Sequence, residues 1–207
     1  MSANLVFAFG TPRPMSVPIH ITLVNMFRAI LRPDLELRLL EERHARTVFA
    51  LVDQDRAYLR QWLPWVDATQ AVDDTVAFIR SMLEQFAAGD GITAGLWHQG
   101  IFAGVIGTHK INRLYRKVEL GYWLGESFQG KGIMTDGTRA LVTHLFQERE
   151  VNRVEICCAV GNHKSIAIPK RLGFIHEGTL REAEFSNHAH HDLMIFGMLK
   201  SDWNPVS

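Results

Sequence analysis

A chain of 207 residues, 47% apolar and 21% charged, has the length and composition of one globular domain with a full core. Lys plus Arg equals Asp plus Glu at 22 each, which removes any overall basic pull toward nucleic acid or an anionic membrane while leaving room for a local patch. No apolar run reaches transmembrane length, and an N-terminus that carries Pro12, Pro14 and Pro18 without a basic leader is a poor secretion signal.

Residues 1–33 read as an N-terminal extension, with Met15 and Met26 as alternative starts, and residues 34–207 as the domain. Regular structure is expected from Leu35, where Leu35-Glu36-Leu37-Arg38-Leu39 alternates as a half-buried strand does. Glu42 to Asp53 places Ala45, Val48, Phe49 and Val52 at helical spacing. An aromatic-rich segment follows, with Tyr58, Trp62 and Trp65, broken by Pro64. Asp73 or Asp74 is placed to cap a helix running to about Ala88. Ile92–Trp97 and Phe102–Lys110 read as a hairpin about Gln99-Gly100, and Val118–Leu124 as a further strand. Gly132 to Glu148 is a helix, Arg153–Val160 a β-branched strand, and Lys164 to Leu172 a short helix stopped by Gly173. Phe174–Glu177 and Asp192–Leu199 are the expected last strands. The order implies a mixed α/β sheet, with a parallel crossover at the helix after Gly132.

Two stretches carry chemistry. In the first, the strand ending at Leu124 leads to Gln129-Gly130-Lys131-Gly132-Ile133-Met134 and a helix, which offers free backbone N–H groups to an anion such as a pyrophosphate. The spacing fits neither a Walker loop nor a dinucleotide fingerprint. In the second, Val160-Gly161-Asn162-His163-Lys164-Ser165 joins a strand to a helix and precedes Leu172-Gly173-Phe174. Asn162 and Ser165 suit capping there, and also suit hydrogen bonds to a ligand between this strand and the one before it. The only cysteines, Cys157 and Cys158, are strand neighbours that point to opposite faces and cannot pair with each other in an ordinary disulfide. They read as small apolar residues of a reducing, cytoplasmic setting. His188, His190 and His191 read as a polar hairpin loop rather than a metal tract.

Taken together, the Gln129–Gly132 turn, Asn162, Ser165 and Leu172-Gly173-Phe174 resemble the GNAT N-acetyltransferases over roughly residues 35–200. Further residues resemble its RimJ/RimL branch, the ribosomal-protein N-terminal acetyltransferases. These are Glu119 to Leu124, Arg153-Val154, Glu177-Gly178, Ala183-Glu184-Phe185, Asp192-Leu193 and the upstream Tyr58 to Leu63. The resemblance implies a mixed, mostly antiparallel sheet of about seven strands flanked by helices. It also implies acetyl-CoA as co-substrate, with Leu124, Gln129, Gly130, Lys131, Gly132, Ile133, Met134, Asn162 and Ser165 as cofactor-binding residues. Met134 departs from the Gly or Ala of many members, and a local packing change is expected there.

Direct acetyl transfer needs a neutral amine, a polarised thioester carbonyl and a proton for the leaving thiolate, and requires no metal. Two carboxylates compete for the role of base. Glu184 is favoured by the resemblance and is expected in a loop between the last two strands; Glu119 lies on the strand before the glycine turn. By resemblance Ser165 is the general acid, and Trp62, Trp65 and Tyr122 are candidates for the acceptor pocket. The acceptor is a protein N-terminal α-amine or a small-molecule amine, and a non-catalytic acyl-CoA sensor is the alternative class. No nucleic acid or membrane partner is expected. A homodimer is, with Leu23, Val24, Met26 and Phe27 as candidate contacts.

Overall fold

The structure is a computed structural model and describes residues 28–186 and 189–204. Eight strands form one sheet: β1 (Arg28–Arg32), β2 (Leu35–Leu39), β3 (Thr93–His98), β4 (Ile101–Thr108), β5 (Lys117–Leu124), β6 (Arg153–Ala159), β7 (Ile175–Ser186) and β8 (Ala189–Leu199). Their spatial order is β1-β2-β3-β4-β5-β6-β8-β7. Every neighbouring pair is antiparallel except β5 and β6. Five helices accompany the sheet: α1 (Ala45–Gln54), α2 (Arg56–Leu59), α3 (Val72–Ala87), α4 (Ile133–Glu148) and α5 (His163–Arg171).

Strand alternation sends successive side chains to opposite faces, and both faces are covered. Leu96, Ile106, Leu120 and Ile156 join the α4 residues Ile133, Leu141, Val142 and Leu145 in one core. Their chain neighbours Trp97 and Val105 join Val48 and Leu51 of α1 and Ile79 of α3 in another. Each fully buried side chain of this size contributes roughly 1.5–3 kcal/mol. Helix α4 lies close on the sheet because residue 137 is glycine: a Cβ there would stand 2.9 Å from Leu96. Met134 is buried in this core at 5% exposure.

Local signals explain most boundaries. Gln99 and Gly100 have φ of 53° and 77°, as a two-residue hairpin turn requires. Asp74 works from inside the first turn of α3: its carboxylate accepts the backbone N–H of Gln70 and Ala71, both at 2.9 Å. Asn162 caps α5 by accepting the Ser165 N–H at 3.1 Å.

Two expectations about strands change. Among the described residues, regular structure is already present from Arg28, ahead of Leu35, because β1 is an edge strand held by its backbone to β2, with Ala29 opposite Leu37. The last hairpin is also far longer than its apolar residues suggested. Glu184 belongs to β7, opposite His191 of β8, not to a loop. β7 is an edge strand with mostly exposed side chains, so backbone pairing extends it where no hydrophobic pattern marks it. His190 stacks on Phe185 with ring centres 4.9 Å apart, and a His191 ring nitrogen meets the Ser186 carbonyl at 3.1 Å. His188, and Leu23, Val24, Met26 and Phe27 offered for a dimer contact, lie outside the described residues.

Candidate active site at a gap in the sheet

The parallel pair β5–β6 keeps register only from Lys117↔Arg153 to Leu120↔Ile156, although β5 continues to Leu124 and β6 to Ala159. Beyond Leu120 the strands part, while β4 stays paired with β5 and β8 with β6. A gap therefore opens within the sheet. The His109 N–H donates to the Glu119 carbonyl, and the Gly125 N–H to the Ala103 carbonyl. Odd-numbered residues of β5 thus face β4, so alternation turns the backbone groups of Tyr122 and Leu124 into the gap. On β6, the Val160 N–H donates to the Asp192 carbonyl and the Lys200 N–H to that of Asn152. The backbone groups of Cys157 and the N–H of Ala159 then face the gap from the other side, the Ala159 carbonyl accepting the Asn162 N–H at 2.8 Å. An extended ligand with amide groups can pair with both lips as an added strand would.

At the open end of the gap, Gly130 and Gly132 lead into α4 with φ of 72° and 75°. A Cβ at Gly130 would meet nothing within 4 Å, and one at Gly132 only Arg32 Nη1 at 3.6 Å. Backbone conformation, not space, selects glycine here. The turn aims the first N–H groups of a 16-residue helix at one cavity of about 1100 Å³. Leu124, Gln129, Gly130, Lys131, Gly132, Ile133, Met134, Asn162 and Ser165 all line it. Lys131, Lys164 and Arg171 add positive charge to the wall, while Arg32 and Arg139 there are paired with Asp136. Donors, glycine backbone and cations suit a pyrophosphate with a further phosphate.

A second cavity, of about 770 Å³, holds Trp62, Trp65, Tyr122, Glu119 and Glu184. Both candidate bases therefore share one space. Glu119 is on the face of β5 opposite Tyr122, and stands beside Cys157. Burial, and then the Glu119 carboxylate, push the Cys157 thiol up to about 12. Trp65 packs against Trp123 at 6.0 Å between ring centres.

The two cavities meet at Tyr122, Asn162 and Ser165. Ser165 Oγ donates to the Tyr122 hydroxyl at 3.3 Å and lies 3.2 Å from Cys158 Sγ. The Tyr122 hydroxyl donates to the Ser165 carbonyl at 3.3 Å. Burial raises the Tyr122 phenol and the Cys158 thiol, so both remain protonated near neutrality. A thiolate formed here would find hydroxyl donors in place. Asn162 uses its carbonyl oxygen for the α5 cap, which leaves its NH₂ group as the donor toward the gap.

Sequence reading missed three supports. Arg32, read as part of the extension, bonds Asp136 at 2.7 Å and the Lys131 carbonyl at 3.2 Å, bracing the glycine turn. Buried Asp55 accepts the Glu126 N–H at 2.7 Å and ties the start of α2 to the approach to that turn. Tyr58 lines the first cavity and bonds Gln129, which also accepts from Lys164. Only Tyr58 carried a signal, its place in the aromatic segment.

A splayed parallel pair beside a glycine turn on a helix start defines an acyl-CoA-dependent N-acyltransferase architecture. The family model described as acetyltransferase (GNAT) domain matches residues 34–175, and the chain belongs to that family as an N-acetyltransferase. It is 39% identical over 179 residues to YdaF of Bacillus subtilis (strain 168), provisionally named a ribosomal N-acetyltransferase, covering 86% of this chain and 98% of that one. It is 33% identical over 165 residues to the ribosomal-protein-serine acetyltransferase of Escherichia coli (strain K12), covering 80% and 92%. Among solved structures, the ribosomal L7/L12 α-N-protein acetyltransferase RimL in complex with coenzyme A superposes with a TM-score of 0.80 at 30% identity, covering 82% and 96%.

Proposed function

We propose that this chain transfers the acetyl group of acetyl-CoA directly to the α-amino group of a protein N-terminus. The gap through the sheet carries this reading, because it joins a cavity suited to a phosphorylated thioester with one that holds two carboxylates. In this reading the N–H groups at the Gly130–Met134 turn take the pyrophosphate, and the edges of β5 and β6 pair with the pantetheine amides. The N–H of Tyr122 polarises the thioester carbonyl. Glu184 takes the proton from the ammonium, directly or through a water, and the neutral amine attacks. As the tetrahedral intermediate collapses, the Ser165 hydroxyl turns from Tyr122 to protonate the leaving sulfur and regains a proton from the acetylated nitrogen, while the proton on Glu184 passes to solvent. Trp62 and Trp65 flank the acceptor residue. The relatives named for ribosomal-protein acetylation support a protein acceptor. The setting this implies is the cytoplasm, and the expected assembly a homodimer.

The test is thiol release from acetyl-CoA with peptides bearing free or blocked α-amines, polyamines and aminoglycosides, with mass spectrometry locating the acetyl group. Acetylation of free peptide α-amines alone supports the proposal. Transfer only to polyamines or aminoglycosides replaces it with a small-molecule enzyme. Binding of acetyl-CoA without transfer to any amine replaces it with a sensor.

A further inference from the structure

Six residues line both cavities: Trp62, Leu63, Tyr122, Trp123, Asn162 and Ser165. Four of these belong to the two lips of the gap, on β5 and on the β6–α5 junction. Trp62 and Leu63 come from the segment after α2, on neither lip, and reach the gap from outside the sheet.

The Trp62 indole lies on Gly161. A Cβ at Gly161 would stand 3.4 Å from Cη2 and 3.7 Å from Cζ3 of that ring. Gly161 is not among the glycines with positive φ, so backbone conformation does not demand glycine there. An alanine methyl there would lie in ordinary van der Waals contact with the indole. The indole therefore closes on the β6 lip, while Tyr122 and Trp123 stand on the β5 lip.

The segment that carries Trp62 is fixed at both ends. The Trp62 N–H donates to the Leu59 carbonyl at 3.1 Å. Arg56 donates to the carbonyls of Val66 and Thr69, at 2.5 and 2.8 Å, and Asp55 holds the Glu126 N–H. These bonds hold in place the backbone that carries Trp62 beside the gap.

We propose that Trp62 sets the acyl length this enzyme accepts, ending the acyl pocket just beyond an acetyl methyl group. This inference rests on the preceding reading, in which the thioester sulfur lies beside Ser165 and the acyl carbon extends across the gap. From there the indole is the shared wall between the acyl carbon and the acceptor cavity. Replacing it with a small side chain gives a longer acyl chain apolar space beside Leu63 and Trp123.

The experiment is calorimetric titration with CoA, acetyl-CoA, propionyl-CoA and butyryl-CoA of the wild-type chain, Trp62→Ala and Trp62→Phe. Each acyl affinity is divided by that of free CoA for the same variant, so a loss common to all ligands cancels. Burial of each added methylene is worth roughly fourfold in affinity. Butyryl-CoA relative to acetyl-CoA is therefore expected to gain about fifteenfold in Trp62→Ala over wild type, with Trp62→Phe between them. Equal ratios in wild type and both variants overturn the inference and leave the acetyltransferase reading standing. If Trp62→Ala does not fold, the Trp62→Phe ratio decides alone. A wild-type chain that binds neither CoA nor acetyl-CoA overturns both.

Discussion

The two cavities that meet at the gap are built in different ways. The larger takes most of its lining from two stretches of chain, Tyr122–Arg139 and Asn162–Arg171, which include one glycine turn, one helix start and a strand edge. The smaller is assembled from many elements: α1, the segment after α2, α3, β3, β4, β5, β6, α5 and the β7–β8 hairpin. A site built from two stretches needs a few glycines and a correct strand end, and tolerates change elsewhere. A site built from many elements changes whenever any of its contributors does. One cavity can thus keep a single co-substrate while the other is retuned to a new acceptor.

Substitutions can break that contrast. Glu184→Gln carries the largest expected effect, a loss of transfer of about a hundredfold or more, with acetyl-CoA affinity unchanged by calorimetry. If Glu119→Gln shows that loss instead, the base sits on β5. Gly132→Ala forces a side chain into the left-handed region at a cost on the order of 1–2 kcal/mol. The free turn relaxes from that strain and must regain it on binding, so acetyl-CoA should bind up to about five- to thirtyfold more weakly, whereas Trp65→Ala should raise the acceptor KM and spare cofactor affinity. Asn162→Ala removes the α5 cap, worth about 1 kcal/mol, and should lower the Tm by roughly 2–4 °C. Arg32→Ala releases the brace on Lys131 and Asp136 and should weaken acetyl-CoA binding only about two- to fivefold, as partly exposed ion pairs are worth little.

The smallest effect separates the hairpin from both cavities. Arg153 bonds Glu177 and holds its carboxyl below the ordinary value of 4.5. A depressed carboxyl stabilises the fold fully above the unfolded value and loses that contribution as pH falls through the folded one. Between pH 5 and 3 the wild-type Tm should therefore fall further than that of Glu177→Gln, as measured by thermal melts.

The same contrast governs what could be read in advance. The glycine turn, the α5 cap and the buried strands β3 to β6 were legible because each leaves a local mark: a positive-φ residue, a capping amide, an apolar run. β1 was missed because an edge strand is held by backbone bonds that impose no side-chain pattern. The reach of β7 was missed for the same reason, and Glu184 was misplaced with it. Glu184 was singled out through resemblance and not periodicity, and it lines the same cavity as Glu119. Arg32 and Asp55 left no mark, since an isolated charged residue gains its meaning from a partner far along the chain. The meeting of Tyr122 with Ser165 depends on β5 and β6 parting after Leu120, a tertiary event that neither strand's sequence announces.

A crystal structure of the chain with acetyl-CoA tests the central claim most directly. The account predicts the pyrophosphate at Gly130–Met134, the pantetheine amides paired with the Leu124 and Ala159 edges, and the thioester carbonyl on the Tyr122 N–H with its sulfur beside Ser165. A thioester bound outside the gap between β5 and β6, or inside it with the sulfur away from Ser165 and Tyr122, would contradict it.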